Sequence, residues 1–554
     1  MKKQIIIMED IVSMMEKSMQ KNWSRDALTD YKGATMQYKD VARKIEKLHL
    51  LFETIGIEKG DKVAICGRNS SNWAVAFLAT LTYGAVVVPI LHEFKADNIH
   101  NIINHSEAKL AFIGDAIWEN LVFDYMPGVL GVVQLNDYSI LETRTDKLTY
   151  AREHLNELFG HKYPNRFEPK DISYFRPDPE ALAMINYTSG STGFSKGVMI
   201  PYRALSSNME FAYGVLLMNP GDKVVSMLPL AHMYGMAFEF LFEMTLGAQV
   251  YFLTRTPSPK VVFAALSEVK PNLIVAVPLI IEKIIKKGIL PRMEAFPMNV
   301  LVNIPIVNEA VRNSVRDQMI RSFGGNFYEV IIGGAAFNQE IDKFLHSIRF
   351  PYTVGYGATE CAPIICYEDW KTARVASCGK AVINMEVRID SSDPENVPGE
   401  ILCRGKNVML GYYKNEALTR ETIDADGWMH TGDLGVMDKD GRLYIRGRSK
   451  NMLLGPSGQN IYPEEIEDKL NSYPFVGESL VIEREGKIVA LVYPDNERIV
   501  REGVTAQQLD AAMEQNRVEI NKTLPAYSQI ARITLQGEEF EKTAKKSIKR
   551  FMYQ

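Results

Sequence analysis

The sequence predicts an α/β protein in two parts. A large N-terminal domain of layered sheets and helices covers residues 1–447, and a small α+β C-terminal domain covers residues 448–554. Three observations carry this. Short apolar runs alternate with helix-length stretches through the first part, the pattern of layered, largely parallel sheets. The pattern changes near Asp438, where a turn leads into a shorter α+β arrangement. The 554 residues leave room for several units, and a tail of about 105 residues is an ordinary domain size.

The elements follow in order. Lys62–Cys66 reads as a strand, as do Leu110–Ile113 and Gly131–Val133, and the stretches between the first two are helix-length and amphipathic. Trp73 to Leu91 carries no charge and nearly reaches membrane-spanning length. Asn69-Ser70-Ser71-Asn72 offers helix caps, Gly84 breaks the helix, and Val86-Val87-Val88-Pro89 reads as a strand. The segment is therefore expected to be a buried helix and a buried strand. Ala181–Asn186, Val198–Ile200, Leu273–Val277 and Val330–Ile332 continue the strands. Asp438-Lys439-Asp440-Gly441 is a hairpin turn before a strand at Arg442–Arg446, and Gly447-Arg448-Ser449-Lys450 reads as a polar, flexible connection. Beyond it, Tyr462-Pro463-Glu464-Glu465 opens a helix with proline in its first turn and acids at its positive end. Ser479–Ile482 and Ile488–Tyr493 flank a hairpin signal at Arg484-Glu485-Gly486-Lys487. Thr505 caps a helix with Leu509 and Met513 on one side.

Composition bounds the function. Hydrophobic residues are 46% and charged residues 24%, enough for a sizeable core and against dominant disorder. The net charge of -5 argues against a general nucleic-acid binder, while allowing a local cationic site for phosphate. Cys66, Cys361, Cys366, Cys378 and Cys403 form no CxxC pair and no zinc-spaced cluster, so they read as reduced thiols of a cytoplasmic protein. Glu9 and Asp10 interrupt the N-terminal apolar run before it reaches signal-peptide length.

The strongest motif is Tyr187-Thr188-Ser189-Gly190-Ser191-Thr192-Gly193-Phe194-Ser195-Lys196-Gly197. Glycines let backbone approach a phosphate, hydroxyls and amides donate to its oxygens, and Lys196 supplies charge. It is not a GxxxxGK[ST] loop, because Ser195 precedes the lysine and Gly197 follows it. Strands on both sides leave no helix dipole behind it. Read on composition alone, it is a flexible Gly/Ser surface loop.

This segment resembles the phosphate-binding signature of the adenylate-forming enzymes, which include acyl-CoA synthetases, peptide-synthetase adenylation domains and luciferases. The signature usually has proline where Ser195 stands. The resemblance runs from about Lys59 to the C-terminus and implies the adenylate-forming fold, with the C-terminal domain as a mobile lid. It assigns phosphate binding to Thr188, Ser189, Gly190, Ser191, Thr192, Gly193 and Lys196. Leu228-Pro229-Leu230-Ala231-His232-Met233-Tyr234-Gly235 is similar to the aromatic-gate segment, which puts His232 between the acyl site and the thiol channel. Alone, His232 reads as a core histidine. Gly333-Gly334-Ala335-Ala336 is similar to the segment whose backbone faces adenine, here Gly334 and Ala335.

Tyr356-Gly357-Ala358-Thr359-Glu360 is more specific. An aromatic ring can stack on a base, a threonine can donate to a phosphate, and glutamate is a hard oxygen ligand for Mg²⁺. The resemblance gives those roles to Tyr356, Gly357, Thr359 and Glu360, with Thr188 as second magnesium ligand. The bland reading is a capped helix start. Asp433, in Thr431-Gly432-Asp433, would bind both ribose hydroxyls, since its two oxygens suit a diol. Arg448 matches a nucleotide-contacting arginine, Lys450 the hinge of the lid, and Gly458 the loop lining the pantetheine channel. In Lys542-Thr543-Ala544-Lys545-Lys546-Ser547-Ile548-Lys549-Arg550 the catalytic lysine matches Lys546, with Lys545 in place of the usual glycine and the register open by one residue. Composition alone makes this a solvated basic tail.

The resemblance implies a two-step acid:CoA ligase using ATP, Mg²⁺ and CoA as co-substrate. Tyr356–Ile365 and Ala376-Ser377-Cys378-Gly379-Lys380 look most like bacterial fatty acyl-CoA synthetases, which points to a medium- or long-chain fatty acid. The alternative is a fatty acyl-AMP ligase that passes its adenylate to a carrier protein. That class usually carries an insertion before the lid, and none is evident before residue 448. No carrier domain follows Gln554, which disfavours a peptide-synthetase module. A homodimer stays open, as does a peripheral place at the inner face of the membrane.

Overall fold

The computed structural model describes residues 9–189, 195–254, 258–285, 305–454, 460–484, 486–543 and 548–553. Two large sheets dominate them. One runs, in spatial order, from Gly411–Tyr412 through Ser195–Pro201, Leu182–Ser189, Val86–Ile90, Lys62–Cys66, Ala108–Ile113 and Gly131–Gln134 to Ile140–Thr143. Its middle is parallel and both ends are antiparallel. The other orders Tyr352–Val354, Glu329–Ile332, Leu273–Ala276, Lys223–Ser226, Gln249–Phe252, Asp26–Asp30 and Thr35–Gln37. All its pairings are parallel except the last.

These strands form because both faces are covered. Val86–Ile90 is buried at every position, which is why it reads as a continuous apolar run rather than an alternation. The helix before it, Ser71–Tyr83, starts where Ser70 Oγ accepts from the Trp73 amide and stops at Gly84 in the left-handed conformation. It is buried on nearly all faces, not amphipathic, because it lies between the sheets. Trp73 stacks on Phe77, and both meet the edge of Phe240, which also touches Phe252 of the second sheet. Among the described residues no helix is long and apolar enough to cross a membrane. All five cysteines are buried free thiols.

A four-stranded antiparallel sheet follows: Met385–Asp390, Gly399–Gly405, Met429–Met437 and Leu443–Arg448. Here the structure differs from expectation. Gly447 and Arg448 are not a flexible connection: they pair with Leu434 and Asp433 as the end of a strand. Ser449–Asn451 is a single 3-10 turn. Beyond it, Val476–Arg484, Lys487–Pro494 and Arg532–Leu535 form a three-stranded sheet covered by Pro463–Leu470 and Ala506–Asn521. Thr505 and Gln508 form the capping box of the latter. The apolar clusters of this part, Ile461 to Phe540, are separate from the main cluster, which ends at Leu443.

Between the sheets, helix Met233–Met236 passes through a π-helical turn at Ala237–Leu241 into Phe242–Leu246. It buries two carboxyls. Glu239 accepts from the amides of Met227 and Leu228. Glu243 is fully buried, and neither of its oxygens has a hydrogen-bond partner among the described residues. Burial pushes its carboxyl up to about 8. Between its ordinary value and about 8, the folded chain keeps a proton that the unfolded chain has released. Stability must therefore fall as pH rises through that window, by about 1.4 kcal/mol per unit at most. Glu243→Gln removes this slope. Urea denaturation across pH should show the variant exceeding the parent most at pH 8, with the gap closing as the pH approaches the ordinary carboxylate range. An equal gap at every pH would refute the assignment.

Candidate active site

His232, Gly333, Gly334 and Tyr356 follow the C-terminal ends of parallel strands of one sheet, where open α/β sheets bind ligands. Ala276, Ile332 and Val354 stand side by side at those ends. Gly333 and Gly334 follow Ile332, with Gly334 at φ 88° and Ala335 exposed beside it. A Cβ at Gly333 would lie 3.2 Å from Tyr234 Cζ, and the Tyr234 hydroxyl donates to the Ile331 carbonyl at 3.0 Å. His232 follows strand Lys223–Ser226, is half-buried, and accepts from the Tyr234 amide at Nδ1.

Tyr356 comes two residues after Val354. It is 6% exposed, and its hydroxyl donates to Asp433 Oδ2 at 2.6 Å. Arg448 lies opposite Asp433 in the ladder and places Nε 2.7 Å from Oδ1. One carboxylate oxygen thus takes the Tyr356 hydroxyl and the other faces the Arg448 charge. Burial pushes the Asp433 carboxyl up, and the Arg448 charge and Tyr356 hydroxyl pull it back. Ser449 Oγ donates to the Gly432 carbonyl and holds the turn beside it. Lys450 is exposed. Gly357 needs to be glycine, because a Cβ would sit 2.3 Å from the Pro363 carbonyl oxygen. Thr359–Cys361 is a three-residue 3-10 turn, not the start of an α-helix. It leaves Thr359 buried and Glu360 half-buried.

The glycine-rich segment is a hairpin between two strands. Thr188 and Ser189, expected in the loop, are strand residues paired with Lys196 and Ser195. Gly190, Ser191, Thr192 and Gly193 lie outside the described residues, as do Gly458, Lys545 and Lys546. Behind the hairpin the Tyr187 hydroxyl meets His105 Nδ1 at 2.8 Å. The basic tail is more than solvated charge. Lys542 pairs with Ile548 across the segment that carries Lys546. Arg550 forms an ion pair with buried Glu467. Lys542 is bound to Glu478 and Glu539 at 3.0 and 2.7 Å.

Sequence reading missed Tyr412. Its strand pairs with Ser195–Pro201, Tyr412 facing Val198. Residues two apart on a strand share a face, so Tyr412 joins Lys196 and Thr188 on one side of the sheet. Lys196 Nζ lies 5.3 Å from the Tyr412 ring centroid, and the Tyr412 hydroxyl donates to Glu360 Oε1 at 2.9 Å. One phenol thereby connects Lys196 to the Glu360 carboxylate. Nothing in the spacing of Gly411-Tyr412-Tyr413 announces this. Glu360 keeps Oε2 free of hydrogen bonds among the described residues. No group of three or more His, Cys, Asp or Glu there could hold a metal. A lone half-buried carboxylate with a free oxygen suits Mg²⁺ carried mainly by phosphates and water.

A family model for AMP-binding enzymes matches residues 15–413. The chain belongs to the AMP-binding enzyme family. A long-chain-fatty-acid–CoA ligase of Escherichia coli O157:H7 is 28% identical over 505 residues, covering 85% of this chain and 82% of the relative. Long-chain-fatty-acid–CoA ligase FadD15 of Mycobacterium bovis is 27% identical over 474 residues, covering 80% and 74%. Among solved structures, the anthranilate CoA ligase AuaEII in complex with anthranoyl-AMP matches with TM-score 0.78 at 19% identity over 99% of this chain and 97% of that one. ATP-bound MatB from Rhodopseudomonas palustris matches with TM-score 0.76 at 19% identity over 99% and 98%. These last two show the adenylate-forming fold. Family and relatives make this AMP-binding enzyme an AMP-forming acyl-CoA synthetase, as the sequence implied.

In this AMP-binding enzyme the loop strands are packed tightly. A Cβ at Gly197 would lie 2.9 Å from Ile185 Cγ2 and 3.1 Å from Tyr187 Cζ. Gly197→Ala should therefore cost about 1–3 kcal/mol by overpacking, read as a lower urea midpoint. An unchanged midpoint would mean that the hairpin is looser than these contacts require.

Proposed function

We propose that this enzyme activates a medium- or long-chain fatty acid as its adenylate and passes the acyl group to CoA. The arrangement that supports this most directly is the pair of networks Tyr356–Asp433–Arg448 and Lys196–Tyr412–Glu360. The first offers a carboxylate for a ribose diol, next to the Gly334–Ala335 edge for a base. The second offers a lysine and a free carboxylate oxygen for a polyphosphate. The relatives' names support a long-chain fatty acid.

In the first step the substrate carboxylate attacks the α-phosphorus of ATP and pyrophosphate leaves. Two anions must approach each other, so the site has to supply positive charge. Lys196 would take the polyphosphate, with Thr188 and Thr359 donating to its oxygens. Lys546 would sit between carboxylate and α-phosphate. Mg²⁺ would be held by Glu360 and Thr188, and when bound would offset phosphate charge. In the second step the thiol of CoA attacks the acyl carbonyl and AMP leaves. The boundary near residue 448 and the hinge at Lys450 would let the small domain withdraw Lys546 between steps. His232 and Gly458 would line the acyl and thiol channel.

Pyrophosphate release with ATP, Mg²⁺ and acids from acetate to palmitate tests the reading. Release should depend on a medium or long acid, and acyl-CoA should form only when CoA is added. Release that CoA does not accelerate would point to a carrier protein as acceptor. No release with any acid would refute the catalytic reading.

Lys546→Ala should slow pyrophosphate release by about 10²–10³, while thioester formation from supplied acyl-adenylate is kept. If Lys545→Ala has that effect instead, the register moves by one. Tyr412→Phe keeps the ring under Lys196 and loses the Glu360 hydrogen bond. It should lower kcat/KM for ATP by about tenfold, a charge-assisted bond of roughly 1.5 kcal/mol. An unchanged value would make Tyr412 a packing residue only.

A further inference from the structure

A cavity lies along the outer face of helix Gln339–Ser347 and strand Tyr352–Val354, with a volume of about 540 Å³. Its walls bring together Arg312, His346, Arg349, Lys371 and Arg374, with Trp370 beside them. They come from different segments of a chain whose net charge is -5.

The acids nearby are already engaged. Asp342, the carboxylate in the cavity wall, accepts from the Tyr352 hydroxyl and from the Ala376 amide. Burial pushes its carboxyl up, and those two hydrogen bonds pull it back. Asp438 and Asp440 hold Arg374 at 3.5 and 3.0 Å, which orients one guanidinium at the rim. Glu368 is taken by Arg442. Arg312, Arg349 and Lys371 make no ion pair among the described residues. Arg312 and Arg349 are therefore left without an ion-pair partner among the described residues, while Lys371 feels the buried carboxyl of Glu329 and lies 5.8 Å from the Trp370 ring centroid.

Arg349 adds a second observation. It closes helix Gln339–Ser347 in the left-handed conformation, φ 54°, with the next amide, Phe350, donating to Leu345 O at 3.0 Å. Glycine is favoured at that position, and an arginine there carries backbone strain. The negative end of the helix accounts for a cation at this place. It does not account for Arg312, Lys371 and Arg374 converging from elsewhere.

We propose that this cavity binds a soluble ligand bearing two or more phosphate groups, held by Arg312, Arg349 and Lys371, with Trp370 as a surface for a planar ring. Guanidinium forks match phosphate oxygens in pairs. A soluble ligand fits better than a lipid headgroup. The cations line a concavity, and none of the large exposed apolar side chains belongs to its walls. The cavity wall reaches Val354, two residues before Tyr356, and the proposal does not depend on the ligase reading.

Titration calorimetry with adenosine 3′,5′-bisphosphate on the full chain tests this. The double variant Arg312→Ala/Arg349→Gly removes two guanidinium groups and relieves the strained backbone, so its melting midpoint should not fall. Affinity should drop about tenfold or more in this variant, and should be kept in Asp433→Ala. Rising salt should weaken binding to the parent chain. Absence of binding to the parent, or equal binding to the double variant, would overturn the proposal. Co-sedimentation with equimolar phosphatidylglycerol and phosphatidylcholine vesicles separates the sources. Sedimentation that the double variant alone loses, without bisphosphate binding, would make the ligand a lipid headgroup and overturn the soluble reading.

Discussion

The structure depends on how buried, irregular backbone between the two large sheets is satisfied. Residues 227–232 leave a parallel strand and cross to the next layer without forming sheet or helix. Their amides and carbonyls are taken by side chains from elsewhere in the chain. Asn69 accepts from the Leu230 amide and donates to the Leu228 carbonyl. Asn186 donates to the Ala231 carbonyl. Glu239 accepts from Met227 and Leu228. An unpaired buried peptide group costs as much as a lost hydrogen bond. These three residues thus determine where His232 and Tyr234 can sit. Asn69 and Asn186 belong to the first sheet's layer and Glu239 to the helix between the layers, so the same bonds tie the two halves of the site together.

Charge in the site follows a second rule: each buried carboxylate has donors of its own. Asp433 has the Tyr356 hydroxyl and the Arg448 charge, while Glu360 has the Tyr412 hydroxyl on Oε1 and no hydrogen bond on Oε2 among the described residues. The contrast with Glu243 is instructive. Among the described residues its oxygens have no hydrogen-bond partner, and burial pushes it toward the neutral form. Position within the same fold therefore separates carboxylates with donors or cations beside them from one pushed toward the neutral form in the core. Asp433 is also pushed up by burial, but the Arg448 charge and the Tyr356 hydroxyl pull it back.

Much of the fold was legible because burial writes itself into composition. Strands covered on both faces read as apolar runs, and Lys62–Cys66 and Val86–Ile90 appear almost where they were expected. Caps and breakers placed the helix between them, since Ser70 and Gly84 act locally. The family as a whole was legible through the order of its motifs. Strand ends were not. Thr188, Ser189, Gly447 and Arg448 look like loop residues, yet each is drawn into a ladder by a partner strand. Local composition does not report that partner.

By itself the sequence determined the class of fold and the family, because apolar periodicity, turn chemistry and motif order are local properties of the chain. Only the tertiary structure decided which side chains meet. Tyr356 reaches Asp433 across 77 residues, Tyr412 reaches Glu360 across 52, and Asn69 reaches Leu230 across 161. The cationic cavity likewise exists only where separate segments converge. Such pairs depend on strand order and layer packing, and a side chain's hydrogen bond carries no trace in its neighbours along the chain.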